Sequence, residues 1–349
     1  MASSNPIRVA VVGAGDIARQ AHLPAWATRT DARVDVLVDR NIERARGMAQ
    51  EFGVPRVESS LGAVSEQVDA VDLCVPPDLH CTLTLEALEA GLHVLVEKPV
   101  ATDPRDAVRM QRAAERADRT VMVAENWLFS SARRIAERTI DDLGLGRPFL
   151  VKAWHESALY IAEEGLVPAW TFSAESAGAG YLMQAGIHTF SLLEAMLGPV
   201  ERITAATDRA APPGKAPMDS TTVVSAELAG DTLASVVLTG RSRQAGPRRL
   251  GFQFFFPAGV VEFDVWSGAV SYTLEGRQQV VETGSSSMGF REEVDHFLYC
   301  VATGTQPESS VPRLRRTLET VLAAYEAAAT GRWLQVDQYA EELITEEPA

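Results

Sequence analysis

A lysine set between an acid and a proline, and an imidazole four residues after an amide, are the groupings in this chain best equipped to move a proton. Lys98 lies in His93-Val94-Leu95-Val96-Glu97-Lys98-Pro99, just past an apolar run that predicts a buried strand. Proline restricts the backbone beside it, through a trans or a cis bond, and so presents the ammonium rigidly. The chain has only three lysines, Lys98, Lys152 and Lys215, against 29 arginines. An ammonium can change protonation state where a guanidinium effectively cannot, so a lysine kept against that bias points to proton chemistry. Gln184 and His188 stand in GAGYLMQAGIH, residues 178–188, and share one face if the segment is helical. The imidazole can accept or return a proton there, while the amide can orient a hydroxyl without charging the site.

These groups need elements to hold them. Ile7–Val12 (IRVAVV) is a continuous apolar run that predicts a strand buried on both faces, ending at Gly13-Ala14-Gly15-Asp16-Ile17-Ala18 before a helical stretch to about Trp26. Further strands are predicted at Val34–Val38, Val68–Val75, His93–Val96 and Val121–Ala124, with helices over 41–52, Thr82–Ala90 and Pro104–Ala117. Strands alternating with helices at this rhythm form βαβ units, hence a doubly wound parallel sheet. After about Glu125 come a helix at Ala132–Leu143, a strand near Pro148–His155, a long helix through residue 197 and several alternating β-rich runs. Short turns between those runs indicate a large open antiparallel sheet in an α+β domain. Two helices, Phe290–Thr303 and Val311–Thr330, close the chain. The expected division is 1–124 for a Rossmann domain that binds NAD(P) and 125–349 for substrate binding and oligomerisation.

Gly13-x-Gly15-x-x-Ala18 between a strand and a helix is the setting that gives a dinucleotide fingerprint its meaning. Gly13 permits the tight turn, Gly15 lets the backbone approach a pyrophosphate, and small Ala18 lets the helix pack on the sheet. Phosphates then meet free N–H groups at the helix start, where Asp16 and Ile17 lie. Asp39 ends the second strand, 24 positions past Gly15. Its carboxylate can accept both ribose hydroxyls of NAD(H) and repels a 2′-phosphate. It also reads as a helix cap for Asn41 onward. Arg40 beside it offers that phosphate a partner, so NAD(H) is preferred and NADP(H) stays open.

Composition narrows the classes. A net charge of −15 speaks against a nucleic-acid backbone or an anionic membrane as partner. No apolar run approaches the roughly 18 residues of a membrane span, and the N-terminus lacks a signal-peptide pattern, so a cytoplasmic protein is expected. Cys74, Cys81 and Cys300 are too few and scattered for a disulfide framework, and no C-x-x-C or H-E-x-x-H offers a metal cage, so no metal is expected. His22, His93 and His296 read as structural.

Several stretches together resemble the Gfo/Idh/MocA oxidoreductases: GAGDIA with HLPAW behind it, CVPPDLH at 74–80, LVEKPVA at 95–101, the AGIH segment, and the closing FLYCVATGTQP and AAYEAAATGRWLQV. The likeness spans nearly the whole chain. It implies a two-domain NAD(P) dehydrogenase acting on a secondary hydroxyl of a sugar, glycoside or cyclitol, with the second sheet often used for dimerisation, hence a homodimer or homotetramer. It carries the proton-handling lysine onto Lys98 and the histidine onto His188. It places Pro76, His80, Glu97 and Asn126 near the cofactor. Trp127, His155, Glu156, Tyr160 and Trp170, with Gln184, become candidates for the substrate: aromatic faces suit sugars, and Glu156 suits an amino sugar.

The family usually writes D-x-G-x-H with a further aspartate three residues on, whereas this chain has Gln184, Gly186, His188 and then Ser191. Without those carboxylates an imidazolium is less favoured, and the division of proton transfer between Lys98 and His188 stays open. The lost aspartates and the acidic chain point to an aminoglycoside in a biosynthetic pathway. Two rivals stand beside this reading: a ketosugar reductase running the opposite way, and an NAD(H)-sensing regulator without turnover.

Overall fold

The computed structural model describes residues 6–64, 66–159, 180–208, 218–242, 249–282 and 287–345. The chain divides into two compact units, Met1–Glu125 with Phe290–Arg315, and Asn126–Gly289 with Arg316–Ala349.

The first unit is built on six strands: β1 (Ile7–Val12), β2 (Ala32–Val38), β3 (Arg56–Glu58), β4 (Ala70–Leu73), β5 (His93–Glu97) and β6 (Val121–Ala124). All are parallel, in the order β3-β2-β1-β4-β5-β6. Their apolar runs leave no polar face because helices cover both sides; Val9, Ala10, Val11, Val71, Val94, Leu95 and Val96 are fully buried. The register sets Val12 level with Val38 and Leu73, and Leu73 level with Val96. The next residues, Gly13, Asp39, Cys74 and Glu97, therefore share the carboxyl edge of the sheet, where open α/β sheets bind ligands.

The helices of this unit are α1 (Leu23–Ala27), α2 (Ile42–Phe52), α3 (His80–Glu89) and α4 (Pro104–Ala117). Asn41 caps α2 by accepting from the Arg44 N–H, and Asp103 caps α4 by accepting from the Arg105 N–H. The helical stretch expected from the fingerprint to Trp26 is a π-helical turn, Ala18–His22, followed by the five residues of α1. Strand β3 is not among the expected strands: it is three residues of edge strand with one apolar side chain, too short for a period to register. The helix Phe290–Thr303, expected in the second domain, belongs to the first unit. Its buried face carries Val294, Phe297 and Leu298, and the Phe297 ring meets Trp26 edge-on at 6.2 Å. Asp295 on the same helix pairs with Arg29.

Among the described residues of the second unit nine strands form one sheet: β7 (Leu150–Glu156), β8 (Val200–Thr207), β9 (Thr221–Leu228), β10 (Thr232–Thr239), β11 (Arg249–Phe256), β12 (Gly259–Asp264), β13 (Val270–Leu274), β14 (Arg277–Glu282) and β15 (Leu334–Gln335). The order is β14-β13-β12-β11-β7-β10-β9-β8-β15. Every pairing is antiparallel except that of β7 with β10, which departs from the all-antiparallel expectation. A parallel pair needs a crossover of a dozen residues or more, and the chain between β7 and β10 supplies it, including the helix Ile187–Leu197.

Among the described residues, the helices of the second unit are Ser131–Asp142, Ile187–Leu197, Val311–Thr330 in its part from Arg316, and Val336–Thr345. Alternation divides the sheet into two faces. Val224, Ala226, Ala234, Val236, Leu238, Phe252, Phe254, Val261 and Phe263 lie on the buried side, with Phe252 and Phe263 stacked at 4.9 Å. Each of the Val, Leu and Phe side chains among them stabilises the fold by about 1.5–3 kcal/mol. The other face leaves Val223, Leu233 and Val237 exposed.

Candidate active site

The fingerprint turn is shaped by what a side chain would strike. Gly13 has φ +101°, and a Cβ there would lie 2.2 Å from the Cys74 carbonyl oxygen, so only glycine fits. A Cβ on Gly15 would meet nothing within 4 Å, so its bareness serves no contact inside the protein and suits a ligand's approach. Ala18 is fully buried against the sheet, whereas Asp16 and Ile17 face outward, Ile17 as an exposed apolar side chain. These features fit a dinucleotide whose phosphates rest on the turn.

Asp39 is buried and anchors the turn from behind. Its Oδ2 accepts from the Ala14 N–H at 2.7 Å, its Oδ1 from the Asn41 N–H at 2.8 Å, and Arg44 pairs with both oxygens. Burial alone would raise its pKa, but the two N–H donors and the Arg44 guanidinium outweigh burial and hold the carboxyl below the usual range. Arg44 is a residue the sequence analysis missed. The sequence reads Asp39 as the cap of this helix, but the structure gives that place to Asn41, which puts residue 44 in the first turn of α2 beside Asp39. Arg40 is exposed.

Lys98 follows β5 directly, and its peptide bond to Pro99 is cis. The Lys98 N–H donates to Glu97 Oε2 at 2.9 Å, and Glu97 Oε1 lies 2.9 Å from His22 Nε2. On its other side His22 Nδ1 meets Asp72 Oδ2 at 2.8 Å, and Trp26 Nε1 donates to the same oxygen at 2.7 Å. Burial acts to lower the His22 pKa, but the Asp72 charge and hydrogen bond raise it well above the ordinary imidazole value. The ring is therefore an imidazolium donating to a carboxylate from each nitrogen. Glu97 follows the reverse logic: burial pushes its pKa up, and His22, then Lys98, bring it below the ordinary value. His22 thus does more than fill the core; it links the end of β4 to the residue before Lys98.

His22, Asp72 and Cys74 bring three potential metal-ligating atoms within 4.8 Å of one another. The imidazole and the carboxylate already face each other directly, which accounts for the cluster as an ion pair. Glu293 adds a further acid to this interior, 1% exposed, with an Oε2 that has no hydrogen-bond partner. Burial raises its pKa well above the ordinary value, Glu97, Asp72 and Glu125 add to the rise, and His22 opposes it.

His80 is fully buried, with Nδ1 2.8 Å from the Pro99 carbonyl and Nε2 3.0 Å from that of Val75. Burial lowers its pKa. Both ring nitrogens face backbone, so His80 ties the loop after β4, at Val75 beside half-buried Pro76, to the turn after Lys98. It shapes the cofactor edge from within and does not reach out of it.

The second unit holds the other candidates. His188 is buried, and its ring stacks on Trp127 with centroids 4.0 Å apart and planes 18° from parallel. Trp127 also lies 5.2 Å from the His155 ring, and His155 meets Tyr181 at 5.6 Å. Tyr181 donates to Ser157 Oγ at 2.8 Å. Tyr181 and Ser157 were not among the sequence candidates, although both flank residues that were.

One face of Trp127 is thus occupied by an imidazole, which fixes the His188 ring plane. Gln184 is half-buried in an otherwise buried run, on a π-helical turn, Leu182–Gly186, that passes into the α-helix at Ile187. The single α-helix expected here is therefore wider-wound where Gln184 sits, a feature common at functional sites. Ser191, where the family has its second aspartate, donates to the His188 carbonyl at 2.9 Å.

One expected grouping does not hold together. His155 and Glu156 are neighbours on β7 and therefore point to opposite faces of the sheet; His155 joins the aromatic cluster and Glu156 does not. Asn126, expected at the cofactor, donates its amide to the Met288 carbonyl at 2.6 Å and so holds the turn before Gly289. Tyr160 and Trp170 lie outside the described residues.

The family models agree with this architecture. Residues 7–125 match the model described as oxidoreductase family, NAD-binding Rossmann fold, and residues 134–261 match the GFO/IDH/MocA C-terminal domain. A D-apiose dehydrogenase of Paraburkholderia graminis is 26% identical over 356 aligned residues, covering 94% of this chain and 89% of the relative. A dTDP-3,4-didehydro-2,6-dideoxy-alpha-D-glucose 3-reductase of Streptomyces violaceoruber is 31% identical, covering 68% of this chain and 65% of its own. The crystal structure of GenD2 from gentamicin A biosynthesis, in complex with NAD, has the same fold, with a TM-score of 0.81 at 23% identity over 96% of this chain and 97% of that one. The turn at Gly13, the lysine after β5 and the matches along both units have one explanation: the chain belongs to the Gfo/Idh/MocA oxidoreductase family.

Proposed function

We propose that this protein is an NAD-dependent dehydrogenase that oxidises a secondary hydroxyl of a sugar, an aminoglycoside or a cyclitol. The carrying observation is that Lys98 directly follows β5 on the same edge of the parallel sheet as the Gly13 turn and Asp39. Gly13, Gly15 and Asp39 would hold NAD, with Arg44 restraining Asp39. Bound NAD+ supplies the hydride acceptor. The protein's share is position and proton traffic: Lys98 and His188 accept or hold the hydroxyl proton, and Gln184 orients a hydroxyl by hydrogen bonding. His188 stacks on Trp127, whose ring also lies 5.2 Å from that of His155, and this aromatic cluster supports a substrate of sugar type.

The same groups serve reduction, and the likeness to a 3-reductase supports the reverse direction as a second reading. The amino-sugar preference rests on the net charge of −15, since Glu156 leaves the His155 face of the sheet. No described helix is long and apolar enough to cross a membrane. A cytoplasmic location goes with three free, buried cysteines. The exposed face with Val223, Leu233 and Val237 supports a homo-oligomer, which light scattering on the purified protein tests.

The experiment is NADH formation from NAD+ across D-apiose, D-xylose, methyl glucosides, myo-inositol and kanamycin, and NADH consumption with ketosugars. Turnover on at least one member is expected. Tight NADH binding with no turnover on any of them would favour a regulator.

A further inference from the structure

The segment carrying Gln184 and His188 starts without a cap of its own. A helix start leaves its first N–H groups without partners inside the helix, and the residue at the cap position, Tyr181, makes no side-chain cap hydrogen bond. Two other elements supply the acceptors for three consecutive N–H groups. The Tyr181 N–H donates to the Asp219 carbonyl at 3.0 Å, the Leu182 N–H to Asp219 Oδ2 at 2.6 Å, and the Met183 N–H to the Tyr325 hydroxyl at 3.1 Å. That hydroxyl in turn donates to Asp219 Oδ1 at 2.7 Å, closing the set.

Asp219 precedes β9 and Tyr325 stands on the helix Val311–Thr330, so both lie far along the chain from the turn they cap. The carboxylate is 6% exposed, and burial raises its pKa against the opposing hydrogen bonds from Leu182 and Tyr325. Gly180 leaves room for it: a Cβ there would lie 2.2 Å from Asp219 Oδ1. A negative group at a helix start is also favoured by the helix dipole.

The far end of the segment is held by the same helix. Glu194 is buried and accepts from the Thr317 hydroxyl at 2.6 Å and the Thr320 hydroxyl at 2.7 Å. Three hydroxyls of one helix, on Thr317, Thr320 and Tyr325, therefore bear on both ends of the stretch that presents His188. Successive helical residues are rotated by about 100°, so a start that slips by one residue turns the imidazole away from its stack on Trp127.

We propose that Asp219 and Tyr325 are positioning residues for the chemistry of His188, acting through the π-helical turn they cap. The proposal rests on the reading of His188 as a proton-handling group. Loss of the cap lets the turn shift, so the imidazole leaves Trp127 and turnover falls while the dinucleotide turn is untouched.

The test compares Asp219→Asn, Tyr325→Phe and His188→Ala in the full-length protein labelled at histidine. The His188 ring resonance, assigned by its loss in His188→Ala, is shifted by the Trp127 ring at 4.0 Å. Both cap variants are expected to move it toward the position of a free histidine while the His93 and His296 resonances stay in place. With D-apiose, D-xylose and kanamycin as probes, kcat is expected to fall about tenfold to a hundredfold with KM within about threefold.

A His188 resonance unmoved in both variants overturns the proposal; Tyr325→Phe, which removes one hydroxyl, decides if Asp219→Asn does not fold. Full turnover in His188→Ala alongside a moved resonance would sink the proton-handling reading but leave the cap standing. Lost turnover in His188→Ala with unchanged cap variants would sink the cap alone.

Discussion

The two units hold their candidate groups by different physics. Around Lys98 the first unit uses buried charge: an imidazolium, His22, lies between the carboxylates of Asp72 and Glu97, and Glu97 receives the Lys98 N–H. Around His188 the second unit uses a ring face and a helix cap: Trp127 covers the imidazole, and Asp219 with Tyr325 takes the free N–H groups at the turn's start. Buried ion pairs are costly to desolvate and costly to break, so the first arrangement resists partial change. Stacking and capping contribute about 0.5–2 kcal/mol each, so the second can be weakened in steps. A lysine whose backbone is firmly anchored and a histidine whose ring is held by weaker contacts follow from that contrast.

The largest effect should come from the cofactor edge. Gly13→Ala drives a Cβ into the Cys74 carbonyl and imposes a left-handed backbone on alanine, so NAD affinity by calorimetry should fall by about a hundredfold or more. Gly180→Ala makes the matching collision in the second unit, with Asp219. It should lower turnover about tenfold or more and leave NAD affinity unchanged, which separates the two units in one pair of variants.

Glu293→Gln probes the charge side. The folded pKa of Glu293 is raised, so the folded chain keeps a proton that the unfolded chain releases above about pH 4.3. Rising pH therefore destabilises the wild type through this group, and the amide removes the penalty. The variant should melt a few degrees higher at pH 8, with the gain vanishing at pH 4 in a thermal-unfolding series. The smallest effect belongs to Arg44→Ala, whose exposed guanidinium contributes about 1 kcal/mol or less to holding Asp39. NAD affinity should drop no more than about fivefold, with NADP affinity unimproved.

How much could be read from the chain follows the distance between partners. The Gly13 turn, Asp39 and Lys98 were legible because strand, turn and helix start lie within a few residues of one another. The His22 network was not, since its partners lie 50 and 75 residues away. In the second unit the alternating runs revealed a sheet but not that β7 enters it parallel to β10, because periodicity carries no direction. The separation of His155 from Glu156 was available from that same alternation. The cap at Asp219 and Tyr325 was out of reach, with 37 and 142 residues between donor and acceptor. Arg44 lies one helical turn from Asn41, the true cap of α2, and went unread because the cap was placed two residues early, at Asp39.

The central claim is that Lys98 and His188 manage the proton of an NAD-linked oxidation. The direct measurement is steady-state NADH formation by Lys98→Ala and His188→Ala beside NAD binding by the same proteins. Both variants should bind NAD within about threefold of wild type and lose about a hundredfold or more in turnover. Wild-type turnover in either one would contradict the account.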